Sequence, residues 1–337
     1  MAHAAPSTTV YTEDNASPAN HVLQYQSGPN GVLSLVSTIS AQGAGTGAAL
    51  ASQSAVVLTQ DGHLLLAVDA GSNQVTVFQV SNDGSLVVAS VAGSQGTAPT
   101  SIAVSGGLVY VLNSGTPNIA GFSLEKNGQL TFLPGSIQPL SGIASSSPEQ
   151  IGFGNDGNVL VVTEKAAGVI DTYSIGRDGS ASAPNVIPSN GAGPYGFAFT
   201  PQGFLILSEA ASNSVSSYAL SNEGSMRTIS GSLPDFGSAP CWVAVSHDGR
   251  FAYASNAHGG TISAYSVSGQ GTLSLTSSIA AKTLVPTLDL ALSGNGHYLF
   301  ALNAGHITAF QTYPDGGLSQ ASTMAGVPAS AAGLAAT

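Results

Sequence analysis

Val243-Ala244-Val245-Ser246-His247-Asp248-Gly249-Arg250-Phe251-Ala252-Tyr253-Ala254-Ser255 reads as two short strands joined by a tight turn. Val, Phe and Tyr supply the β-branched and aromatic content that suits a pleated strand, and His247-Asp248-Gly249 supplies the turn. The pattern runs on through Thr261–Val267, a turn at Gly271, and Leu273–Ser277. Four strands joined in sequence by short connections make one antiparallel unit.

The unit recurs along the whole chain. Its third strand carries an aromatic residue in an apolar-x-x-aromatic setting: Tyr25, Phe78, Phe122, Tyr173, Tyr218, Tyr265 and Phe310, spaced 44 to 53 residues apart. Six residues after each stands a glycine: Gly31, Gly84, Gly128, Gly179, Gly224, Gly271 and Gly316. Pairs such as Asp83-Gly84 and Asn127-Gly128 are hairpin-turn chemistry, which needs a positive φ. A period of about 40–50 residues with four strands per unit is the sequence signature of a propeller blade. The fold expected is therefore all-β: a seven-bladed β-propeller with four-stranded antiparallel blades. It is read as one domain over 9–337 behind a 1–8 tail. The first unit opens at Thr9-Val10-Tyr11-Thr12-Glu13, which aligns with a second strand, so its missing first strand is sought in Ala332-Gly333-Leu334-Ala335-Ala336. Pairing the two termini within one blade removes the free edge of an open ring.

The opening strands share a small residue: Ala103, Gly152, Ala198, Ala244, Ala291 and Ala335, with Val57 larger. Opening strands lie nearest the axis, where blades converge, and a small residue there accepts a large one from the neighbouring blade.

Composition narrows the function. Only 7% of the 337 residues are charged, and six Lys and Arg against seventeen Asp and Glu give a formal charge of −11. Nucleic acid and anionic membrane surfaces are poor partners for such a chain, and no apolar run approaches the ~18 residues of a membrane span. The single cysteine, Cys241, excludes an internal disulfide framework and a cysteine-based zinc site. The small, apolar Met1–Pro6 start suits the remnant of a trimmed export signal, so a secreted or periplasmic monomer is expected.

One rim of the ring carries tight Asp-Gly and Asn-Gly turns, which read as structural. The other carries the links between blades, two of them long (roughly Ala41–Ser52 and Pro134–Ser147), and long loops on one rim are where function is expected. On that rim the last residue of every second strand is polar: Glu13, Asp69, Asn113, Glu164, Glu209, Asn256 and Asn303. The entrances of the first strands add Ser101, Gln150, Trp242 and Asp289. One reading has these residues ring the channel mouth around a small-molecule ligand. The other has them cap their own loops. Caps seldom need Glu, so Glu164 and Glu209 are the functional candidates, with Lys165 placed to balance Glu164 or polarise a carbonyl.

The run Ala239-Pro240-Cys241-Trp242-Val243-Ala244-Val245-Ser246-His247-Asp248-Gly249-Arg250-Phe251-Ala252-Tyr253-Ala254-Ser255-Asn256, with Gly193-Pro194 and Ser208-Glu209, resembles the β-propeller lactonase family, which includes 6-phosphogluconolactonases and carboxymuconate cycloisomerases. The resemblance covers essentially the whole chain. It implies seven blades, a site at this channel mouth, and neither metal nor cofactor. Glu209 stands at the family's Glu position. Elsewhere the pattern departs: Tyr195-Gly196 replaces an Arg-His pair, Glu149-Gln150 replaces a His after proline, and Ala257 replaces an Arg after Ser-Asn. Arginines recognise phosphate and carboxylate through paired hydrogen bonds, so their loss points to a neutral lactone and a divergent branch.

Other constellations are weaker. His258 reaches the mouth as a possible base, whereas His63, His247 and His297 fall on the opposite rim, and His21 and His306 start third strands. An oxygen-rich ring is also what a calcium ion requires, but the resemblance implies no metal. Cys241 reads as a small buried hydrophobe. The enzyme reading has Glu209, Lys165 and Glu164 hydrolyse or form a small neutral lactone, with Trp242, Gln150, Asn113, Asn256, Asp69, Asn303, His258 and Tyr195 positioning it. The rival is a non-catalytic propeller that binds a small molecule or a protein at the same mouth.

Overall fold

A computed structural model describes residues 8–28 and 30–337. The Met1–Pro6 start and nearly all of the expected tail lie outside the described residues. Thr8 is already part of the sheet edge, accepting the Ser27 amide at 2.8 Å.

Seven antiparallel sheets follow one another around a ring, six of them with their strands in sequence order from the axis outward. The first blade combines Thr9–Glu13, His21–Ser27 and Leu33–Ser40 with an innermost strand, Ala332–Ala336, from the other end of the chain. That closing strand pairs as expected, Val10 with Ala336 and Tyr11 with Ala335. In the third blade the outer position is split between Leu130–Phe132 and Gln138–Pro139, both on Asn118–Leu124. Among the described residues no helix is long and apolar enough to cross a membrane.

The repeated glycine has two jobs. All seven have φ between +73° and +84°, the left-handed region that a side chain disfavours. Each also presses on the preceding blade: a Cβ on Gly271 would come within 2.7 Å of Ile229, and one on Gly316 within 2.3 Å of Phe251. Hydroxyls of the preceding blade then bond the glycine carbonyls, Tyr11 to Gly84 at 2.7 Å, Tyr110 to Gly179 at 2.8 Å and Thr172 to Gly224 at 2.6 Å. Ser322 does the same to Gly31 at 2.6 Å across the closure between the seventh blade and the first. The small column works as expected, since a Cβ on Gly152 would meet the Phe197 ring of the next blade at 2.7 Å.

Candidate functional site

The seven polar residues that end the second strands do not ring an open mouth. Glu13, Asp69, Asn113, Glu164, Glu209, Asn256 and Asn303 all have no solvent exposure. Six of them grip the link that brings the chain into their own blade. Glu209 accepts from Ser189 Oγ (3.1 Å), the Gly191 amide (2.7 Å), Ser214 Oγ (2.6 Å) and Ser216 Oγ (2.7 Å). Its oxygens are committed to the 189–191 link and to the third strand of its own blade, which corrects its expected place as a base at the mouth. Asn113 donates to the Ser94 carbonyl, and Asn303 to those of Leu284 and, at 3.3 Å, the hydroxyl of Thr287. Asn256, with its amide oriented to satisfy its neighbours, donates to Asp235 at 2.8 Å. The grip is tight enough to demand glycine: Cβ atoms on Gly43, Gly96, Gly191 and Gly237 would lie 2.4, 2.6, 2.2 and 2.2 Å from Asp69, Asn113, Glu209 and Asn256. The loop-capping reading therefore describes these residues, glutamates included.

Glu164 is likewise off the mouth. One of its oxygens accepts the Ser141 amide at 3.0 Å, and the other faces Asp171. Burial first, then the neighbouring Glu164 carboxyl, holds the Asp171 carboxyl well above the usual range. Glu13, bonded to Asn20, is also pushed well above the usual carboxylate range by burial.

The first-strand entrances staple blades together. Gln150 donates to the Phe197 carbonyl (3.0 Å) and accepts its amide (2.6 Å), so its side chain pairs like a peptide with the next blade. Both its polar atoms are committed to the next blade, which corrects its expected place among the ligand-positioning residues. Gln53, which the sequence reading passed over, does the same over a greater distance. At the end of the Ala41–Ser52 link it crosses the channel to pair with both the carbonyl (2.8 Å) and the amide (3.1 Å) of Val243 in the sixth blade. Its own carbonyl accepts Ser101 Oγ at 2.6 Å. Trp242 secures the same segment through its indole N–H to the Ser52 carbonyl at 3.0 Å. The channel is thus plugged beneath this rim, and ligand space is displaced to one side. Gln53→Ala strips two partners from a buried peptide, and unpaired buried groups cost about 1–3 kcal/mol each. A loss of roughly 2–6 kcal/mol in denaturant unfolding is expected; a change under about 0.5 kcal/mol means that water fills the place.

Above the plug lies a cavity of ≈460 Å³ between the fourth and seventh blades. Ala49, Leu50 and Ala51 form one wall, Ala210, Ala211, Ala239 and Ala257 line much of the rest, and Lys165, Tyr195, Cys241, Trp242 and His258 supply the chemistry. Four of the expected residues, Lys165, Tyr195, Trp242 and His258, are therefore brought together. Tyr195 and Trp242 meet edge to face, centroids 5.4 Å apart, and Lys165 Nζ stands 4.9 Å from the centre of the Tyr195 ring. Exposed apolar side chains edge the adjoining links, Phe236 before Ser238 and Val285 before Pro286.

The missing member is Glu149. It is 2% exposed and accepts Ser147 Oγ at 2.8 Å, with Tyr195 near enough to act on its ionisation. Burial pushes its carboxyl up to about 7, against the opposing pull of Ser147 and the Lys165 charge. Tyr195 is raised well above its ordinary value by burial and by Glu149, so it holds its proton. Burial drives the Cys241 thiol up to about 12, which makes it an inert wall group at neutral pH. The signal for Glu149 was present, because a charged residue directly after Pro148 opens a strand that lines a channel. Among the described residues, no three His, Cys, Asp or Glu side chains converge to hold a metal ion.

The model of the seven-bladed β-propeller lactonases matches residues 7–143 and 237–331, more than half of the chain. The chain belongs to this family. Between the two matched segments lies 144–236, the part of this lactonase-family propeller that holds Glu149, Lys165, Tyr195 and Glu209. A Bacteroides fragilis protein named as a candidate 6-phosphogluconolactonase superposes with a TM-score of 0.77 at 17% identity, over 100% of this chain and 99% of its own. The periplasmic gluconolactonase of Pseudomonas aeruginosa superposes at 0.74 and 17% identity, covering 98% and 99%. A Lactobacillus plantarum protein gives 0.77 and 18%, again over 98% and 99%. Likeness at this identity establishes the shared fold. No curated protein matches the sequence.

Proposed function

We propose that this propeller hydrolyses neutral lactones in the cavity beside the channel plug, with Glu149 as general base, Tyr195 as the relay between it and the cavity, and Lys165 as the oxyanion partner. The observation that carries the reading is a tyrosine and a lysine on the wall of an alanine- and aromatic-lined cavity in a lactonase-family fold, with the buried Glu149 carboxyl beside that tyrosine. Few polar groups placed in an apolar pocket is the usual form of a small-molecule site.

With its carboxyl near 7, Glu149 is substantially ionised at neutral pH, and a base tuned to the working pH moves protons most effectively. Attacking water gives a proton to the Tyr195 oxygen as the tyrosine passes its own to Glu149. The water oxygen bonds the lactone carbonyl carbon, and the resulting oxyanion lies against the Lys165 ammonium. Collapse breaks the ring C–O bond, and the proton held by Glu149 returns through Tyr195 to the departing alkoxide. Water is consumed and a hydroxy acid leaves. The walls hold no arginine, and Glu149 and Tyr195 stand where the family resemblance implies His and Arg, so the substrate carries no phosphate. The non-catalytic reading uses the same cavity and is separated by turnover.

The direct test is a screen of neutral aliphatic and aromatic lactones followed by proton release. Hydrolysis above the buffer rate is expected, and Lys165→Met should lower kcat about 10²-fold or more, the scale for losing one oxyanion donor. Ligand-induced thermal protection without turnover of any lactone would establish the binding protein instead.

A further inference from the structure

The cavity beside the plug is larger than a lactone ring needs. Its ≈460 Å³ holds about fifteen water-sized groups at ~30 Å³ each, and a five-membered lactone has six non-hydrogen atoms. More than half of the space is left for whatever the ring carries.

The walls differ from end to end. Lys165, on the turn after the second strand of the fourth blade, and Tyr195, in the first strand of the fifth, put polar chemistry at one side. Pro286 and Leu288, at the entrance of the seventh blade, stand three blades away. Ala239, Ala257 and the Trp242 ring lie between them. Polar groups on this stretch are committed to the fold. Asn213 accepts the Ala239 amide at 2.9 Å, Thr287 shares a hydrogen bond with Thr283 at 3.1 Å, and the Trp242 indole N–H is given to Ser52. Ser238 and His258 are exposed and stay at the rim.

The apolar character continues past that rim. Phe236 is 77% exposed, Val285 58% and Leu284 43%. Single exposed apolar side chains are ordinary, but these three stand on the two links that also line the cavity. The sixth-blade turn ties those links together. Ala257 donates its amide to the Ala239 carbonyl at 2.9 Å, and Thr283 donates its own to the Gly260 carbonyl at 2.8 Å. Val285 packs on the same turn, since a Cβ on Gly260 would meet its Cγ1 at 2.9 Å. A formal charge of −11 disfavours an anionic lipid surface as the cover for this lip.

We propose that the cavity and its lip take an alkyl chain borne by the lactone, so that the substrate class is a chain-substituted lactone and not a polyhydroxylated one. The ring lies at Lys165, and the chain runs along Trp242 and Leu288 toward Val285. The claim rests on the lactonase reading for the place of the ring. The chain site itself is a statement about binding and is tested without turnover.

5-Alkyl-2-pyrrolidinones keep the five-membered ring and the chain but replace the ester with an amide, which resists hydrolysis. In calorimetry their affinity should rise about 3- to 4-fold for each methylene buried. The rise should level off near about nine carbons, where ring and chain together fill the space. Phe236→Ser with Val285→Ser removes apolar surface at the lip, so the longest congeners should bind about 10-fold or more weakly. Both side chains are exposed, so the double variant should melt close to wild type; Val285→Ser alone gives a smaller loss in the same direction. A flat series overturns the chain site, and a series that rises identically in the double variant overturns its path to the lip. A flat series in which the double variant instead breaks up a dimer gives the lip to a second copy of this chain. If the lactams behave as expected while no lactone turns over, the chain site stands and the hydrolase reading falls. Lactones that turn over beside a flat lactam series keep the hydrolase and remove the chain site.

Discussion

Glu149→Gln should lower the turnover of any lactone this protein hydrolyses by about 10²–10⁴-fold, the range lost with a general base. Glutamine keeps the shape and can still meet Ser147 and Tyr195, so ligand affinity should change little and the loss should fall on kcat. The wild-type pH profile carries the second half of the expectation. With the Glu149 carboxyl pushed up to about 7, kcat/KM should rise with pH through that value as the base ionises. The limb should vanish in the variant. Glu209→Gln is the control, because four donors already occupy that carboxylate. It should cost stability through the 189–191 link and leave the pH limb in place. A Glu209→Gln enzyme that loses the limb, with Glu149→Gln keeping it, would return the base to the second-strand end.

Blade count, strand order and closure were legible because each is enforced by a local rule that repeats. The glycine six residues after each third-strand aromatic answers a positive φ and a neighbour's side chain at once, so it recurs without exception. The alanine column answers convergence at the axis. Such constraints act at fixed sequence offsets, and a periodic scan finds them.

The site was legible only in part, because the same chemistry serves two ends. Polar residues close every second strand, and the sequence cannot say whether Glu209 looks outward to a ligand or inward to a loop. The answer lies in Ser189, Gly191, Ser214 and Ser216, small polar residues whose convergence is a property of the folded link. Gln53 shows the same limit. Its partner Val243 is 190 residues away, and no local pattern announces that contact. Lys165, Tyr195, Trp242 and His258 could be placed at one rim because blade geometry fixes position there, and the fold gathers them on one cavity wall. Glu149 stood in view beside Gln150, but its role depends on burial and on the tyrosine of the next blade.

A second large effect concerns stability and runs against the common preference for neutral pH. Burial raises Asp69 to about 6 and Glu149 to about 7, lifts Asp235 and Asp171, and puts Glu13 and Asp289 well above the carboxylate range. Each of these groups keeps a proton in the folded protein at a pH where the unfolded chain, with ordinary carboxyls near 4, has released it. Where the folded state binds more protons than the unfolded one, raising the pH destabilises, by up to about 1.4 kcal/mol per pH unit for each such group. Stability should therefore fall from about pH 5 through 7 as Asp69 and then Glu149 ionise, and continue down as Asp171 gives up its proton. The exposed turn carboxylates Asp61, Asp83, Asp178 and Asp248 are shifted down by their own hydrogen bonds, so their opposing contribution is lost only below the ordinary carboxyl range. The formal charge of −11 acts in the same sense, because self-repulsion eases as the pH drops toward the sequence pI of about 4.7. Melting temperatures at constant ionic strength should be higher at pH 5 than at pH 8 by well over 5 °C. Asp171→Asn removes one of the raised acids and cannot ionise, so it should flatten the curve and melt above wild type at pH 8. A wild-type maximum at pH 7 to 8 would mean that these acids ionise freely inside the fold and that water reaches them.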